Sequence, residues 1–158
     1  MIRKVWALKG ERPLARVHHR YKWTYLYSFV RPSSGEVHWL ILPTVNSEVF
    51  SIALSQFAEQ VGAGKDKHIL LVLDKAGWHT SSRVKVPEGI HLEFLPSHSP
   101  ELQPSERLWP LTNEGVANHY FEEIEFLEEA LIERCVALCE QPEIIRSYTH
   151  YHWWPEAA

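Results

Sequence analysis

Ile69-Leu70-Leu71-Val72-Leu73-Asp74 is the stretch on which the fold class turns. Five consecutive apolar residues are too few for a typical helix, and their branched side chains suit a strand buried on both faces, as in parallel sheets. Asp74 follows directly, one of only two aspartates in the chain, the other being Asp66. Ligands of α/β sheets bind at the carboxyl ends of strands, where loops present side chains over a rigid floor. Asp74 is therefore the first candidate for chemistry, although a turn or helix-cap role explains its position equally well.

Upstream, Trp23, Tyr25, Tyr27 and Phe29 alternate with Thr24, Leu26, Ser28 and Val30, a period of two that predicts a strand. Pro32-Ser33-Ser34-Gly35 supplies turn chemistry and Glu36 to Leu42 resumes the alternation, so the two runs form an antiparallel hairpin. Ser47 is placed to cap a helix carrying Val49, Phe50, Ala53, Leu54, Phe57, Ala58 and Val61 at helical spacing, with Gly62 and Gly64 as its stop. Downstream, Ile90 to Leu95 reads as another strand, followed by the loop Pro96-Ser97-His98-Ser99-Pro100. Pro104 and Ser105 precede a helical stretch that Pro110 kinks or restarts. Ile124, Leu127, Leu131, Cys135 and Leu138 mark a final amphipathic helix that stops near Pro142. The order predicts one α/β domain spanning 1–158, with a mixed sheet and helices on its faces.

At 158 residues, with 45% hydrophobic and 23% charged residues, the chain sits at the globular average, which excludes disorder, coiled coils and collagen-like repeats. No apolar run approaches a bilayer span and no signal peptide opens the sequence, so a soluble cytoplasmic protein is expected. Cys135 and Cys139 lie four apart on one helix face, badly placed to pair, in keeping with a reducing compartment. The formal net charge of −4 hides an asymmetry. Residues 1–31 hold Arg3, Lys4, Lys9, Arg12, Arg16, Arg20, Lys22 and Arg31 against Glu11 alone, whereas residues 121–143 hold eight glutamates against Arg134. A solvated helix face accounts for the acidic end, and the basic end permits a polyanion partner without requiring one.

Glu106 lies at the start of the helical stretch after Pro104, where the helix dipole favours a glutamate for structural reasons alone. Paired with Asp74 it gains a second reading. Two carboxylates from a strand end and a nearby helix start can share divalent cations, and hard oxygen ligands suit Mg²⁺. His79 could contact a phosphate or orient a ligand, or be an ordinary polar loop residue. The remaining histidines show no zinc-site spacing, and neither a glycine-rich phosphate loop nor a Gly-x-Ser-x-Gly elbow is present.

Two segments, Leu71-Val72-Leu73-Asp74-Lys75-Ala76-Gly77-Trp78-His79 and Leu95-Pro96-Ser97-His98-Ser99-Pro100-Glu101-Leu102-Gln103-Pro104-Ser105-Glu106-Arg107-Leu108-Trp109, resemble the catalytic half of mariner-like DDE transposases of the bacterial insertion-sequence branch. That family's pattern reads Asp-Asn-Ala-x-x-His, then Leu-Pro-x-Tyr-Ser-Pro-x-Leu-Asn-Pro-x-Glu-x-x-Trp. The Trp6-x-x-Lys9-Gly10 opening, the hairpin with Ser34-Gly35-Glu36 and the acidic closing helix resemble it too, so the likeness covers essentially the whole chain. It implies an RNase H-like fold in which three carboxylates hold two Mg²⁺ or Mn²⁺ ions for in-line attack on a DNA phosphodiester. On that resemblance Asp74 is the second carboxylate and Glu106 the third, and Lys75, His79 and Arg107 fall beside them as contacts to DNA.

The chain departs from the pattern at several points. The family's first Asp ends a strand preceding the Trp-x-x-Lys-Gly motif, and here Met1 stands with that motif already underway; the family's helix-turn-helix region is likewise not in this sequence. Lys75 and Gln103 replace asparagines and His98 replaces a tyrosine, and the Lys75 ammonium could pair with Asp74 in competition with a metal. An RNase H-like sheet without its first strand is incomplete, and an unpaired edge beside Trp23, Tyr25 and Tyr27 predicts a homo-oligomer. The resemblance thus implies the catalytic portion of a transposase, weak or inactive alone, acting on transposon ends and possibly partnered by an upstream-encoded half. The alternative is a non-catalytic transposase remnant that binds itself or nucleic acid.

Overall fold

A computed structural model describes residues 7–10 and 22–154 of the chain. The aromatic alternation produces strand β1 (Tyr25–Arg31), which pairs antiparallel with β2 (Glu36–Leu42) from Tyr25 opposite Leu42 to Arg31 opposite Glu36. At the turn the Arg31 carbonyl accepts the N–H groups of Ser34 and Gly35 at 3.2 and 2.9 Å. Successive side chains of a strand point to opposite faces. Tyr27, Phe29 and Leu40 accordingly enter one core, and Val30, Val37 and Trp39 enter another.

Helix α1 (Ser47–Val61) covers the first face. Its cap is Asn46, one residue before the serine expected from sequence: Asn46 Oδ1 accepts the N–H groups of Glu48 and Val49 at 3.0 and 2.9 Å. Gly62, at φ 68°, ends it in the left-handed conformation. Beyond α1, β3 (Ile69–Leu73) and β4 (Ile90–Phe94) pair in parallel, Ile69 beside Ile90 and Leu73 beside Phe94. Phe50, Ala53, Leu54, Phe57 and Ala58 of α1 pack against Phe29 of the hairpin and against Leu73 and Ile90 of the parallel pair.

The single mixed sheet expected from sequence is not what forms. Among the described residues there are two separate two-stranded sheets, one antiparallel and one parallel, with no hydrogen bond joining β1 to β3. The chain is a mixed α/β protein with small sheets and helices. Nor is β3 buried on both faces. Leu73 is buried, but Leu70 is 66% exposed, because α1 covers one face of the strand and, among the described residues, no layer covers the other.

The C-terminal part closes the second face of the hairpin. Two 3₁₀ turns, Pro100–Leu102 and Pro104–Leu108, lead into the short helix α2 (Trp109–Asn113), and Pro110 restarts the chain as helix at α2's first turn. Helix α3 (Ile124–Cys139) is the expected amphipathic segment. The stop expected near Pro142 is also a start: Pro142 opens a further helix, α4 (Pro142–Thr149), which buries Ile145 with Leu108, Leu111, Leu138 and Val37. Cys135 and Cys139 are free, and burial pushes the Cys135 thiol up to about 12. No helix among the described residues is long and apolar enough to cross a membrane. Most of the basic N-terminal cluster, Arg3, Lys4, Arg12, Arg16 and Arg20, and Trp6 of the opening motif, lie outside the described residues.

Gly35 joins the hairpin to α4. Its φ of 77° favours glycine, and a Cβ built on it would lie 1.9 Å from the Pro142 carbonyl oxygen, so backbone meets backbone. Gly35→Ala is expected to lower stability by about 2–4 kcal/mol, combining left-handed strain with overpacking. Urea denaturation checks it; an unchanged midpoint would show that hairpin and α4 separate freely.

Candidate functional site

The separation of the two sheets leaves a cavity of about 360 Å³ between them, far larger than the packing voids of a folded core. One wall is β1 from Tyr25 to Val30 and the other is β3 from Leu70 to Asp74, with Gln103 to Glu106 and Trp109 at its edge. Both sequence-derived carboxylates, Asp74 and Glu106, line this one cavity.

Asp74 stands where β3 ends, and its place is held from two sides. Its Oδ1 accepts the Ala76 N–H at 3.1 Å, an Asx-type turn, and the Nδ1–H of His79 at 2.7 Å. The side chain is 55% exposed, so its other oxygen is open to ligands. The His79 N–H donates to the Ala76 carbonyl at 2.9 Å, folding the segment after Asp74 into a turn that brings the ring back beneath the carboxylate.

His79 is the most constrained side chain of the group. Its ring lies 4.4 Å from Phe50 and meets Tyr27 and Trp78 edge-on at 6.2 and 5.7 Å. A carboxylate can only accept, so in a neutral ring Nδ1 carries the proton and Nε2 presents its lone pair. The Tyr27 hydroxyl, 3.4 Å away, is then the donor to Nε2. Burial pushes the Tyr27 phenol up to about 12; a hydrogen bond with Trp78 pulls it down in part, and the Asp74 charge adds to the rise. The phenol keeps its proton, and a chain of donors runs from Tyr27 through His79 to Asp74.

Glu106 sits in the 3₁₀ turn Pro104–Leu108, fixed through its backbone N–H to the Gln103 carbonyl at 3.1 Å, with its side chain exposed. Lys75 is exposed and lies outside the cavity lining; the ring of His79, and not the Lys75 ammonium, is what holds Asp74. Arg107 is also exposed, with its guanidinium 5.8 Å above the Tyr151 ring and its Nε–H donating to the Tyr151 hydroxyl at 3.4 Å. Among the described residues no three His, Cys, Asp or Glu side chains gather as a metal-holding group.

Tyr27 and Phe50 belong to the site and were not anticipated from sequence as such. Both read as strand and helix core residues, and no local pattern reveals that a later turn brings His79 against the two of them. Tyr27 also leaves the exposed aromatic stripe expected along β1: Trp23 and Tyr25 are 69% and 37% exposed, whereas Tyr27 is turned inward.

Residues 1–128 match the family described as DDE superfamily endonuclease. An uncharacterized protein of Sinorhizobium fredii is 33% identical over 136 residues, covering 83% of this chain and 96% of its own. No solved structure matches.

Tyr27→Phe removes the donor to His79 Nε2 and is expected to cost about 0.5–1.5 kcal/mol at neutral pH, the net value of one hydrogen bond. The sign with pH follows from the raised phenol. Tyr27 contributes fully below its unfolded value of 10.0, and that contribution is lost as pH climbs through about 12. The stability gap between wild type and Tyr27→Phe should therefore shrink from pH 9 towards pH 11.5 in urea titrations, and a gap that widens would refute the donor assignment.

Proposed function

The chain belongs to the DDE superfamily endonucleases, and from that premise we propose that Asp74 and Glu106 are metal-binding carboxylates of a transposase catalytic portion of the mariner-like branch. The observation that carries this reading is their meeting in one cavity, with Asp74 anchored by His79. The order of hairpin, helix and parallel pair supports an RNase H-like arrangement. Family membership supports transposon-end DNA as substrate and cleavage with strand transfer as the reaction.

The donor set fits a hard divalent cation, Mg²⁺ or Mn²⁺. Asp74 keeps one oxygen outside the bonds to Ala76 and His79, Glu106 offers an exposed carboxylate, and such ions retain water in their remaining positions. When bound, the ion supplies charge at the phosphate and a more acidic water or hydroxyl. The chain's own residues hold and orient. The Nδ1–H of His79 fixes the direction of the Asp74 carboxylate, as partners of metal ligands do. Both ring nitrogens are occupied in this way, so His79 acts as a positioning residue, and the exposed Lys75 and Arg107 are left to meet DNA phosphates. Two carboxylates suffice for one hydrated ion and fall short for two, which supports weak activity of the chain alone. Trp23 and Tyr25, exposed at the head of β1, offer a face for self-association.

One observation favours a second reading, a non-catalytic DNA-binding remnant: no third metal-ligating side chain joins Asp74 and Glu106 among the described residues. A single set of measurements separates them. Mn²⁺ calorimetry and nicking of supercoiled DNA are run on wild type, Asp74→Asn and Glu106→Gln. The catalytic reading expects metal-dependent nicking that falls at least tenfold in each variant, with the metal heat lost in Asp74→Asn. Nicking equal in all three proteins would overturn it, and DNA binding without metal heat in wild type would establish the remnant.

A further inference from the structure

His68 and His91 meet away from the carboxylate site. His68 stands one residue before β3, and His91 is the second residue of β4, beside Leu70 in the parallel register. Alternate residues of a strand share a face, so His68, two before Leu70, comes to the same side as His91. The two rings stack at 5.2 Å with 27° between their planes, and His68 Nδ1 lies 2.9 Å from His91 Nε2. The backbone beneath them is fixed. The Gly64 N–H donates to the Lys67 carbonyl at 3.0 Å, and the Ile69 N–H to the Gly89 carbonyl at 2.7 Å. A Cβ at Gly89 would lie 2.3 Å from the Gly64 nitrogen and 2.7 Å from the Lys67 carbonyl oxygen, so the loop carrying His68 packs directly on the residue that precedes β4. The Lys65 carbonyl accepts the Nε2–H of His68 at 3.2 Å. Metal-binding histidines are characteristically held this way, through the ring nitrogen that the metal does not use. We propose that His68 and His91 chelate one late transition-metal dication, of the Cu²⁺ or Ni²⁺ class, which clips the loop before β3 to β4.

The spacing of the nitrogens selects the class of ion. Metal–imidazole bonds of about 2.0–2.1 Å to two nitrogens 2.9 Å apart enclose an angle of about 90°. That is the angle between neighbouring ligands of a square-planar or octahedral ion, whereas a tetrahedral ion such as Zn²⁺ needs the nitrogens about 3.3 Å apart. With His68 Nε2–H directed to Lys65, the neutral pair has a lone pair on His68 Nδ1 and the proton on His91 Nε2. Moving that proton to His91 Nδ1 is a change of tautomer that releases no net proton and leaves two lone pairs facing the ion. No third His, Cys, Asp or Glu completes the group among the described residues, so water fills the other coordination positions. The Lys67 ammonium is engaged at the Val61 carbonyl, and Glu93, two residues beyond His91, places a carboxylate on the same strand face. The 23 residues between the histidines explain why no ligand spacing marks them in the sequence. Neither lines the cavity of Asp74, and the chain from His68 to Asp74 covers about 20 Å at strand rise. The imidazole pair thus differs from the carboxylates in place and in ligand type, and does not depend on nuclease activity.

The test titrates Cu²⁺ into the full chain in excess Mg²⁺, which competes for oxygen ligands and not for imidazoles. The electron paramagnetic resonance spectrum of the first equivalent should show splitting from two nitrogens in the wild type. His68→Gln and His91→Gln, both at exposed positions, should each weaken that equivalent at least tenfold and remove the two-nitrogen pattern, while Asp74→Asn and His152→Gln leave it intact. Ni²⁺ should raise the urea midpoint of the wild type and of neither histidine variant, which reads the clip directly. Co²⁺ reports the geometry, and the weak visible bands of a six-coordinate ion are expected. Equal Cu²⁺ affinity in the two histidine variants, a one-nitrogen spectrum in the wild type, or loss of the equivalent in Asp74→Asn would overturn the site. Intense tetrahedral Co²⁺ bands would overturn the class of ion. If the wild type takes up neither Cu²⁺ nor Ni²⁺, the two rings share a hydrogen bond alone and the proposal fails.

Discussion

The architecture depends on one apolar contact surface, the face of α1. Because the hairpin and the parallel pair share no hydrogen bonds among the described residues, their relative placement rests on side chains that touch both. Phe57 stacks on Phe29 of β1 at 4.3 Å, while Ala53, Leu54 and Ala58 stand in the same cluster as Leu73 and Ile90. Burying each large side chain is worth about 1.5–3 kcal/mol, so a few such contacts match what a continuous ladder would contribute. Phe50, at the end of this face nearest the carboxylates, also supports the His79 ring, and through it the orientation of Asp74. The helix that assembles the fold thereby sets the site.

The hairpin is the other shared component. Alternate positions along each of its strands feed two different cores, Phe29 towards α1 and Val37 towards Leu108, Leu138 and Ile145. The turn holding Glu106 is thus tied to the hairpin through its neighbour Leu108, fully buried in the second core, whereas Asp74 is tied to it through the first. That two acids 32 residues apart border one cavity follows from the hairpin lying between these layers.

Much of this was legible in the sequence. Period-two alternation located both hairpin strands, and helical spacing with Gly62 located α1 within a residue. The motif residues Asp74 and Glu106 were found because their chemical type and setting are local signals. What was hidden is relational. Alternation says which face a side chain takes and nothing about which strand lies alongside, so a joined sheet was expected where two halves stand. Leu70 looks as apolar as Leu71, and its exposure reflects the lack of a layer above it among the described residues. Pro142 signals an interruption, but whether the chain then turns away or begins α4 depends on the pocket that receives Ile145. The role of His79 rested on Phe50 and Tyr27, which no spacing rule connects to it.

The two unladdered edges have a consequence for solubility. Open strand edges ordinarily template fibrils, and proteins blunt them with charges, prolines or bulges. Here neither edge lies at the rim of a flat sheet. Both line one cleft together with Phe50 of α1 and the turn beginning at Pro104. Two edges that face a shared cleft leave a further strand a narrower approach than the rim of an open sheet would.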